Sequence, residues 1–154
     1  MYRQILVPLD GSDQAERILP HVEALATSFG ASVTLFRATV TPAKVVAETT
    51  GGGLDGEAPL DPTPIVQAER EEAAAYLQAV ADRLRTAGLT VQEEHPDGLA
   101  GDLIVQRAAE LGADLIAMTT HGRSGLGRLV FGSVADHVLR HAACPVLLVR
   151  VHEA

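Results

Sequence analysis

The chain has 154 residues, enough for one domain with a core of its own. Its net charge of −8 argues against binding to nucleic acid or to an acidic membrane surface, and its apolar runs are far shorter than a membrane span. The single cysteine, Cys144, excludes an internal disulfide, and the amino terminus carries no leader pattern, so a soluble cytoplasmic protein is expected.

Short apolar stretches alternate with helical patterns along the chain. The predicted strands span residues 5–9, 31–38, 89–94, 114–118 and 144–149. The first is apolar throughout, which is typical of a strand buried on both faces of a parallel sheet. Val91 is the one strong β-former of the third, so that strand is expected at an edge of the sheet.

The helical patterns carry start and stop signals. The apolar stripe of the first helix comprises Ile18, Leu19, Val22, Leu25, Ala26 and Phe29. Pro20 predicts a bend or a late start in this helix, and Gly30 predicts its end. Later helices are expected to open at Thr63-Pro64 and to stop at Gly88 and Gly112. The apolar pattern of the last helix comprises Val134, Val138, Leu139 and Ala142.

Residues 39–64 interrupt this alternation with several prolines and glycines. A loop this long inside a compact domain is usually a functional lid or a disordered insertion, and both interpretations stay open. We therefore expect a single domain over residues 1–154 with a mobile loop at about 39–64.

Strict alternation of strands and helices predicts an α/β fold, a single doubly wound, Rossmann-like parallel sheet with helices on both faces. In the expected strand order, 3-2-1-4-5, the winding reverses between the first and fourth strands. Ligands of such folds bind at that reversal, outside the carboxyl ends of the strands. The turn at Asp10 and the loop after Met118 are therefore predicted to face each other across a crevice.

A glycine-rich loop, residues 118–133, leads from the fourth strand into the last helix. Glycines let backbone N–H groups turn toward a ligand, and a helix N-terminus attracts anions, so the loop resembles a phosphate cradle. The alternative is a flexible turn in which Gly132-Ser133 only caps the helix. A P-loop NTPase is excluded, because Lys44 is the sole lysine and no GK[ST] sequence exists.

Five segments resemble the universal stress protein family in order and spacing. They are Val7-Pro8-Leu9-Asp10-Gly11-Ser12, Ala113-Asp114-Leu115-Ile116, Thr120-His121-Gly122-Arg123-Ser124-Gly125, Gly132-Ser133-Val134-Ala135 and Cys144-Pro145-Val146-Leu147-Leu148-Val149. The resemblance spans the chain apart from residues 39–64. Each segment is weak alone, and together they are specific to the family.

The ATP-binding branch of this family has a motif similar to G-x2-G-x9-G-[ST]. Gly122, nine residues and then Gly132-Ser133 match its last two-thirds. Thr119 stands where the motif has its first glycine. Its added Cβ and hydroxyl are expected either to crowd a ribose or to hydrogen-bond it.

The resemblance implies a site for ATP, or another adenine nucleotide, with Mg²⁺. The residues assigned to it are Pro8, Leu9, Asp10, Ala38, Met118, Thr119, His121, Gly122, Arg123, Gly125, Arg128, Gly132, Ser133 and Val134. By position, those from Pro8 to Asp10 would border adenine and ribose, Ala38 would offer backbone groups to adenine, and Met118 would pack on the base or ribose. The phosphates would be held by Gly122, Gly132, Ser133 and the Val134 N–H, with charge from Arg123 or Arg128.

These assignments have structural alternatives. Asp10 or Ser133 could serve only as a helix cap, Met118 could belong to the core, and the two arginines could be solvated. His121 has no Cys, Asp or Glu at ligand spacing, and His137 and His141 lack a third ligand in the sequence, so no metal site is predicted.

The expected function is an ATP-binding regulatory switch in a stress response. A ligand-free structural dimer of the same family and a slow ATPase are the alternatives. Between Thr119 and Ala135 the chain has no Asp, Glu or Lys, so any phosphoryl transfer is expected to be slow. Residues 146–149 form an apolar strand at the predicted edge of the sheet, so a homodimer that pairs this strand with that of a second copy is expected. The resemblance to the family implies the same arrangement.

Overall fold

The computed structural model describes residues 1–50, 61–121 and 132–151. The strands are β1 Gln4–Pro8, β2 Ser32–Phe36, β3 Val91–Glu94, β4 Leu115–His121 and β5 Val146–Val151. The α-helices are α1 Leu19–Phe29, α2 Pro42–Thr50, α3 Thr63–Thr86, α4 Ala100–Leu111 and α5 Ser133–His141, and a short 3₁₀ helix, Ala15–Ile18, precedes α1.

The five strands form one parallel sheet in the order β3-β2-β1-β4-β5, which confirms the predicted fold class and the edge position of β3. The ladder between β1 and β2 runs from Gln4↔Ser32 to Pro8↔Phe36. The ladder between β1 and β4 ends after Ile5↔Leu115 and Leu6↔Ile116. β1 and β4 therefore separate toward their carboxyl ends, and this opening is the crevice expected where the winding reverses.

Alternate residues of β1 pack on opposite faces of the sheet. Ile5 and Val7 belong to the core under α1 and α3, whereas Leu6 packs with Ile116 and Ile104 in the core under α4 and α5. All of these side chains are at most 2% exposed. Burial on both faces explains why the first strand is apolar throughout.

The first helix begins late, as Pro20 predicts. The chain makes one 3₁₀ segment before α1 starts at Leu19, which leaves Pro20 in the first turn, and Gly30 ends the helix at φ 66°. The expected burial of Phe29 is wrong: the residue is 44% exposed, and its ring packs edge-on against Tyr2 at 5.2 Å. Phe29 is the last residue of α1.

The apolar stripe of α5 is narrower than predicted. Ala135 and Val138 are buried, but Leu139 is 41% exposed. Leu139 follows Val138 directly, so the rotation of about 100° per residue carries it away from the buried side of the helix.

The stretch predicted as a loop at 39–64 contains helix α2, so that prediction is wrong for Pro42–Thr50. Thr41 Oγ accepts the N–H of Lys44 at 3.2 Å, Pro42 stands in the first turn, and Val45 is buried. These are ordinary helix-start signals that the neighbouring glycines and prolines obscured. Residues 51–60 lie outside the described part of the chain, and the lid role stays a prediction.

Candidate functional site

A cavity of about 480 Å³ lies at the carboxyl edge of the sheet, in the opening between β1 and β4. It is lined by Pro8, Leu9, Asp10, Ala15, Phe36, Ala38, Ala100, Ile104, Met118, Thr119, Gly132, Ser133, Val134 and Ala135. These residues come from the ends of β1, β2 and β4, the start of the 3₁₀ helix, and the N-terminal parts of α4 and α5. The cavity therefore occupies the position that the strand order predicts for a ligand.

The cavity brings together many of the residues that the sequence assigned to the site. They are Pro8, Leu9, Asp10, Ala38, Met118, Thr119, Gly132, Ser133 and Val134. His121 ends β4, and its side chain is not described. The remaining assigned residues, Gly122, Arg123, Gly125 and Arg128, lie outside the described part of the chain.

Sequence reasoning missed the apolar part of the cavity wall. Phe36 is 1% exposed, Ile104 is 2% exposed, and both line the cavity together with Ala15, Ala100 and Ala135. The strand order indicates that α4 packs against β1 and β4, so a contribution of α4 to the cavity wall could have been predicted. Which of its residues reach the crevice depends on the rotation of the helix, and this could not be taken from periodicity alone.

The turn after β1 orients Asp10 at the rim of the cavity. Asp10 Oδ1 accepts hydrogen bonds from the backbone N–H of Ser12 at 2.9 Å and from its hydroxyl at 2.6 Å. Ser12 Oγ in turn accepts the N–H of Ala15 at 3.1 Å, so Ser12, and not Asp10, caps the following helical segment. Asp10 holds the capping residue and remains exposed at the rim.

Arg37 packs behind this turn. Its guanidinium lies 5.4 Å from the ring centre of Tyr76 and 3.6 Å from a carboxylate oxygen of Glu72. A Cβ placed on Gly11, whose φ is +87°, would lie 2.9 Å from Nη1 of Arg37. Burial, followed by the charge of Glu16, raises the pKa of Tyr76 above its ordinary value, so its hydroxyl stays neutral. This packing fixes the backbone that carries Asp10.

The N-terminus of α5 forms another wall of the cavity. Gly132 is the N-cap residue at φ 74° and ψ 155°, and its carbonyl accepts the N–H of Asp136 at 3.0 Å. The N–H groups of Ser133, Val134 and Ala135 have no acceptor within the helix, because the first turn of any α-helix leaves its donors unpaired. These donors and the positive end of the helix dipole favour an anion here.

The exit of β2, which carries Ala38, is anchored from two directions. The Thr39 hydroxyl donates to Asp97 Oδ1 at 2.5 Å, and Arg70 of α3 donates to both oxygens of the same carboxylate. Glu69 Oε1 accepts the N–H of Val40 at 3.0 Å. The hydrogen bonds from Arg70 and Thr39 lower the pKa of Asp97, so its charge persists at neutral pH. The backbone of Ala38 is thereby held in place at the cavity.

His137 joins the two helices that flank the cavity. Its Nε2 lies 2.9 Å from Oδ1 of Asp102 on α4, and its ring stacks on that of His141 with centroids 4.3 Å apart. Within the described ranges, His, Cys, Asp and Glu side chains form no group of three or more arranged to hold a metal ion. No helix among the described residues is long and apolar enough to cross a membrane.

The sheet order, the crevice between β1 and β4 and the helix N-terminus beside it match a known family. The chain belongs to the universal stress protein family, whose profile matches residues 1–150.

Relatives in sequence and structure support this assignment. Universal stress protein MJ0531 of Methanocaldococcus jannaschii is 32% identical over 151 residues, which cover 97% of this chain and 83% of that protein. The solved structure of MJ0577, from the same organism, has 27% identity and a TM-score of 0.81 and covers 100% of this chain and 99% of the other. A universal stress protein in complex with cAMP has 24% identity and a TM-score of 0.68 over 98% of each chain, which shows a shared fold.

Proposed function

We propose that this chain binds an adenine nucleotide, ATP with Mg²⁺, in the crevice between β1 and β4 and acts as a nucleotide-dependent switch in a stress response. The observation that carries the proposal is the convergence of Asp10 and the N-terminus of α5 on one cavity of about 480 Å³. A cavity of this volume is within the usual range for small-molecule and cofactor sites.

The cavity offers separate chemistry for each part of a nucleotide. Phe36, Ile104 and Met118, all nearly buried, give apolar surface suited to a base. Asp10, oriented by Ser12, offers carboxylate oxygens to a ribose hydroxyl or an adenine amine. We assign the backbone at Ala38 to the adenine edge, because the anchoring of Thr39 and Val40 holds it still.

The phosphates are assigned to Gly132, Ser133 and Val134. Backbone N–H groups at a helix start bind phosphate without the help of a lysine. The sequence adds Gly122, Arg123 and Arg128 to this assignment through the family motif, and these remain predictions.

Mg²⁺ fits the donor set of the cavity. This ion takes oxygen ligands and is usually held by substrate phosphates, water and one or two protein groups. Asp10 and Ser133 supply a carboxylate and a hydroxyl to the same cavity, and they would hold the ion together with the phosphates. The ion would neutralise phosphate charge when bound.

A switch is a better match to these residues than a fast ATPase. Rapid phosphoryl transfer needs a positioned nucleophile and stabilisation of the developing charge. Asp10 is the one carboxylate among the described cavity residues, and its Oδ1 already accepts two hydrogen bonds from Ser12. Slow hydrolysis would suit a protein whose state depends on which nucleotide is bound.

The proposal is tested by identifying what the purified protein carries and binds. The protein is denatured, the released small molecules are identified by mass spectrometry, and the emptied protein is refolded and titrated with Mg²⁺-ATP in a calorimeter. We expect an adenine nucleotide in the released fraction and saturable 1:1 binding of ATP. No adenine nucleotide in the fraction and no binding heat would favour the ligand-free structural dimer instead.

A further inference from the structure

The described wall of the cavity has a negative side chain but no positive one. Asp10 lines the cavity, and no lysine or arginine belongs to its described lining. A carboxylate repels phosphate, and the chain as a whole carries a net charge of −8. Positive charge close to Asp10 would therefore favour the binding of an anionic ligand.

Arg37 lies directly behind this wall. It follows β2 and stands between Phe36 and Ala38, which both line the cavity. Successive side chains of a strand point to opposite faces of the sheet. The guanidinium of Arg37 accordingly lies over the ring of Tyr76, in α3, at 5.4 Å from its centre. The side chain of Arg37 is only 14% exposed, so a largely buried cation stands on the far side of the cavity wall.

The contacts on the α3 side offset only part of the cost of burying this charge. A guanidinium removed from water loses hydration, which charged, polar or aromatic groups must replace. Glu72 Oε1 lies 3.6 Å from Nη2 of Arg37, but Glu72 is 73% exposed, and exposed ion pairs contribute little. The Tyr76 ring adds a cation–π contact. The side of the guanidinium that faces β1 therefore matters for its stability.

On that side the guanidinium meets the turn that carries Asp10. Leu9 N–H donates to Phe36 O at 2.8 Å, so the exits of β1 and β2 run side by side. A Cβ placed on Gly11 would lie 2.9 Å from Nη1 and 3.2 Å from Cζ of Arg37. Gly11 follows Asp10 directly, so the cation packs on the backbone next to the carboxylate.

The charges of Asp10 and Arg37 also reach the same hydroxyl, that of Tyr76. Burial is the largest cause that raises the pKa of Tyr76, the charge of Asp10 raises it further, and the charge of Arg37 lowers it. Such interactions weaken with distance and are screened least where water is excluded. Asp10 and Arg37 therefore lie within each other's electrostatic field.

We propose that Arg37 is a positioning residue that acts through Asp10 and makes the cavity selective for phosphorylated nucleotides over the nucleoside. Its buried charge offsets the Asp10 carboxylate from behind, so that Asp10 can bind the sugar or the base with less repulsion of the phosphates. This inference rests on the proposed nucleotide binding and adds a residue from outside the cavity. Without the cation, the repulsion should grow with the number of phosphates on the ligand.

The test compares adenosine, AMP and ATP by calorimetry on the full chain, at one fixed concentration of Mg²⁺ and salt. Arg37→Met removes the charge and keeps much of the length, whereas Arg37→Lys keeps the charge. A third variant combines Arg37→Met with Asp10→Asn, whose amide oxygen still accepts hydrogen bonds from Ser12. Thermal unfolding of each variant establishes that it is folded, and Arg37→Gln takes the place of Arg37→Met if the latter is not.

Arg85→Met is the matched control. Arg85 donates to Val91 O at 2.8 Å and to Glu93 at 2.7 Å, and Val91 is the first residue of β3. The control therefore removes the same charge at the amino edge of the sheet, opposite the cavity. Its affinities for all three ligands should stay within about twofold of those of the original protein, because distant charges are screened by salt.

We expect Arg37→Met to weaken ATP binding about fivefold or more, AMP binding less, and adenosine binding by less than about twofold. Arg37→Lys should keep the ratio of ATP affinity to adenosine affinity within about twofold of the original value, because the charge remains. The double variant should restore this ratio, because both charges are gone. If adenosine binds too weakly to be measured, the ratio of ATP affinity to AMP affinity takes its place.

Three results would overturn the inference while nucleotide binding stands. In the first, Arg37→Met leaves the ratio unchanged, as an equal loss for all three ligands would. In the second, Arg37→Lys loses as much of the ratio as Arg37→Met does. In the third, the double variant stays as low as Arg37→Met alone. Failure of the original protein to bind any of the three ligands would overturn the proposed function, and this inference with it.

Discussion

The hydroxyl of Thr39 donates a 2.5 Å hydrogen bond to Oδ1 of Asp97, which joins the exit of β2 to the loop between β3 and α4. Thr39 is 2% exposed, and the backbone repeats the connection, because Thr39 N–H donates to Pro96 O at 2.9 Å and Gly98 N–H donates to Thr39 O at 3.0 Å. Arg70 of α3 donates to the same carboxylate, so one side chain connects the exit of β2, the loop between β3 and α4, and helix α3.

Replacing Asp97 with Asn should destabilise the protein. The change keeps the size of the side chain but removes the charge that pairs with Arg70, and we expect a loss of about 1–3 kcal/mol in the free energy of unfolding. Asp82→Asn is the control, because Asp82 forms an exposed pair with Arg85 and should cost less than about 1 kcal/mol. Urea denaturation measures both. Equal midpoints for the two variants would show that the Asp97 cluster contributes nothing beyond a surface ion pair.

The stability difference between the original protein and Asp97→Asn should depend on pH. Folding lowers the pKa of Asp97 through its bonds with Arg70 and Thr39. The stabilisation is therefore complete above the unfolded-state pKa of about 3.9 and is lost as pH falls toward the folded-state value. Denaturation curves should show the largest difference near neutral pH and a shrinking one in acid. A difference that grows on acidification would contradict the assignment.

Hydrolysis of ATP should be slow even with Mg²⁺, because the described cavity residues include neither a lysine nor a carboxylate free of hydrogen bonds to Ser12. Steady-state turnover measured with a phosphate-release assay should be far below the typical enzyme rate of about 10 per second. The matched control is Gly132→Val. This variant is expected to bind ATP weakly, so the ATP hydrolysis that remains in its preparation measures any contaminating ATPase. A rate in the typical range that disappears in this variant would favour the ATPase alternative.

A homodimer through β5 also remains a prediction, and the position of this strand supports it. β5 ends the sheet, and Val146, Leu147, Leu148 and Val149 are all only half-buried. Pairing with a second copy would satisfy the exposed edge about a two-fold axis. Light scattering at micromolar concentration should give twice the chain mass of 16.2 kDa, and Leu148→Asp should give the mass of one chain.

The control for the dimer test is Ile65→Asp, which adds the same charge on a half-exposed position of α3. It should remain a dimer, and circular dichroism should show both variants folded. If the original protein has the mass of a single chain, the dimer is refuted. If Leu148→Asp stays dimeric, the interface lies elsewhere.

The sheet was predictable from the sequence because its signals are local. An uninterrupted apolar run such as 5–9, a glycine after a helix such as Gly30 or Gly112, and strict alternation of elements leave few ways to wind the chain. The strand order alone then predicts that Asp10 and the start of α5 border one crevice. The observed ladder, which ends at Leu6↔Ile116, has the opening at that place.

The parts that could not be predicted depend on tertiary packing. The burial of Phe36 and Ile104 at the cavity is set by how α4 is rotated against the sheet, and hydrophobic periodicity gives only its apolar side. Helix α2 was missed because glycines and prolines outside Pro42–Thr50 dominated the composition of the segment. One cluster joins Thr39, Arg70 and Asp97, which lie up to 58 positions apart in the chain. A local sequence pattern does not predict such a long-range contact.

The central claim, that the N-terminus of α5 binds nucleotide phosphates, is tested most directly by titrating ATP into Gly132→Val. At φ 74° and ψ 155°, Gly132 holds a backbone conformation that side chains disfavour, although an added Cβ would meet no protein atom within 4 Å. Gly30→Val is the control for a valine at a glycine of positive φ: Gly30, at φ 66° and ψ 33°, is in the milder left-handed region, also in open space, at the carboxyl end of α1. Calorimetry should show ATP affinity reduced at least tenfold in Gly132→Val and unchanged in Gly30→Val, with both variants folded. Equal ATP affinity in Gly132→Val and the original protein would contradict the account.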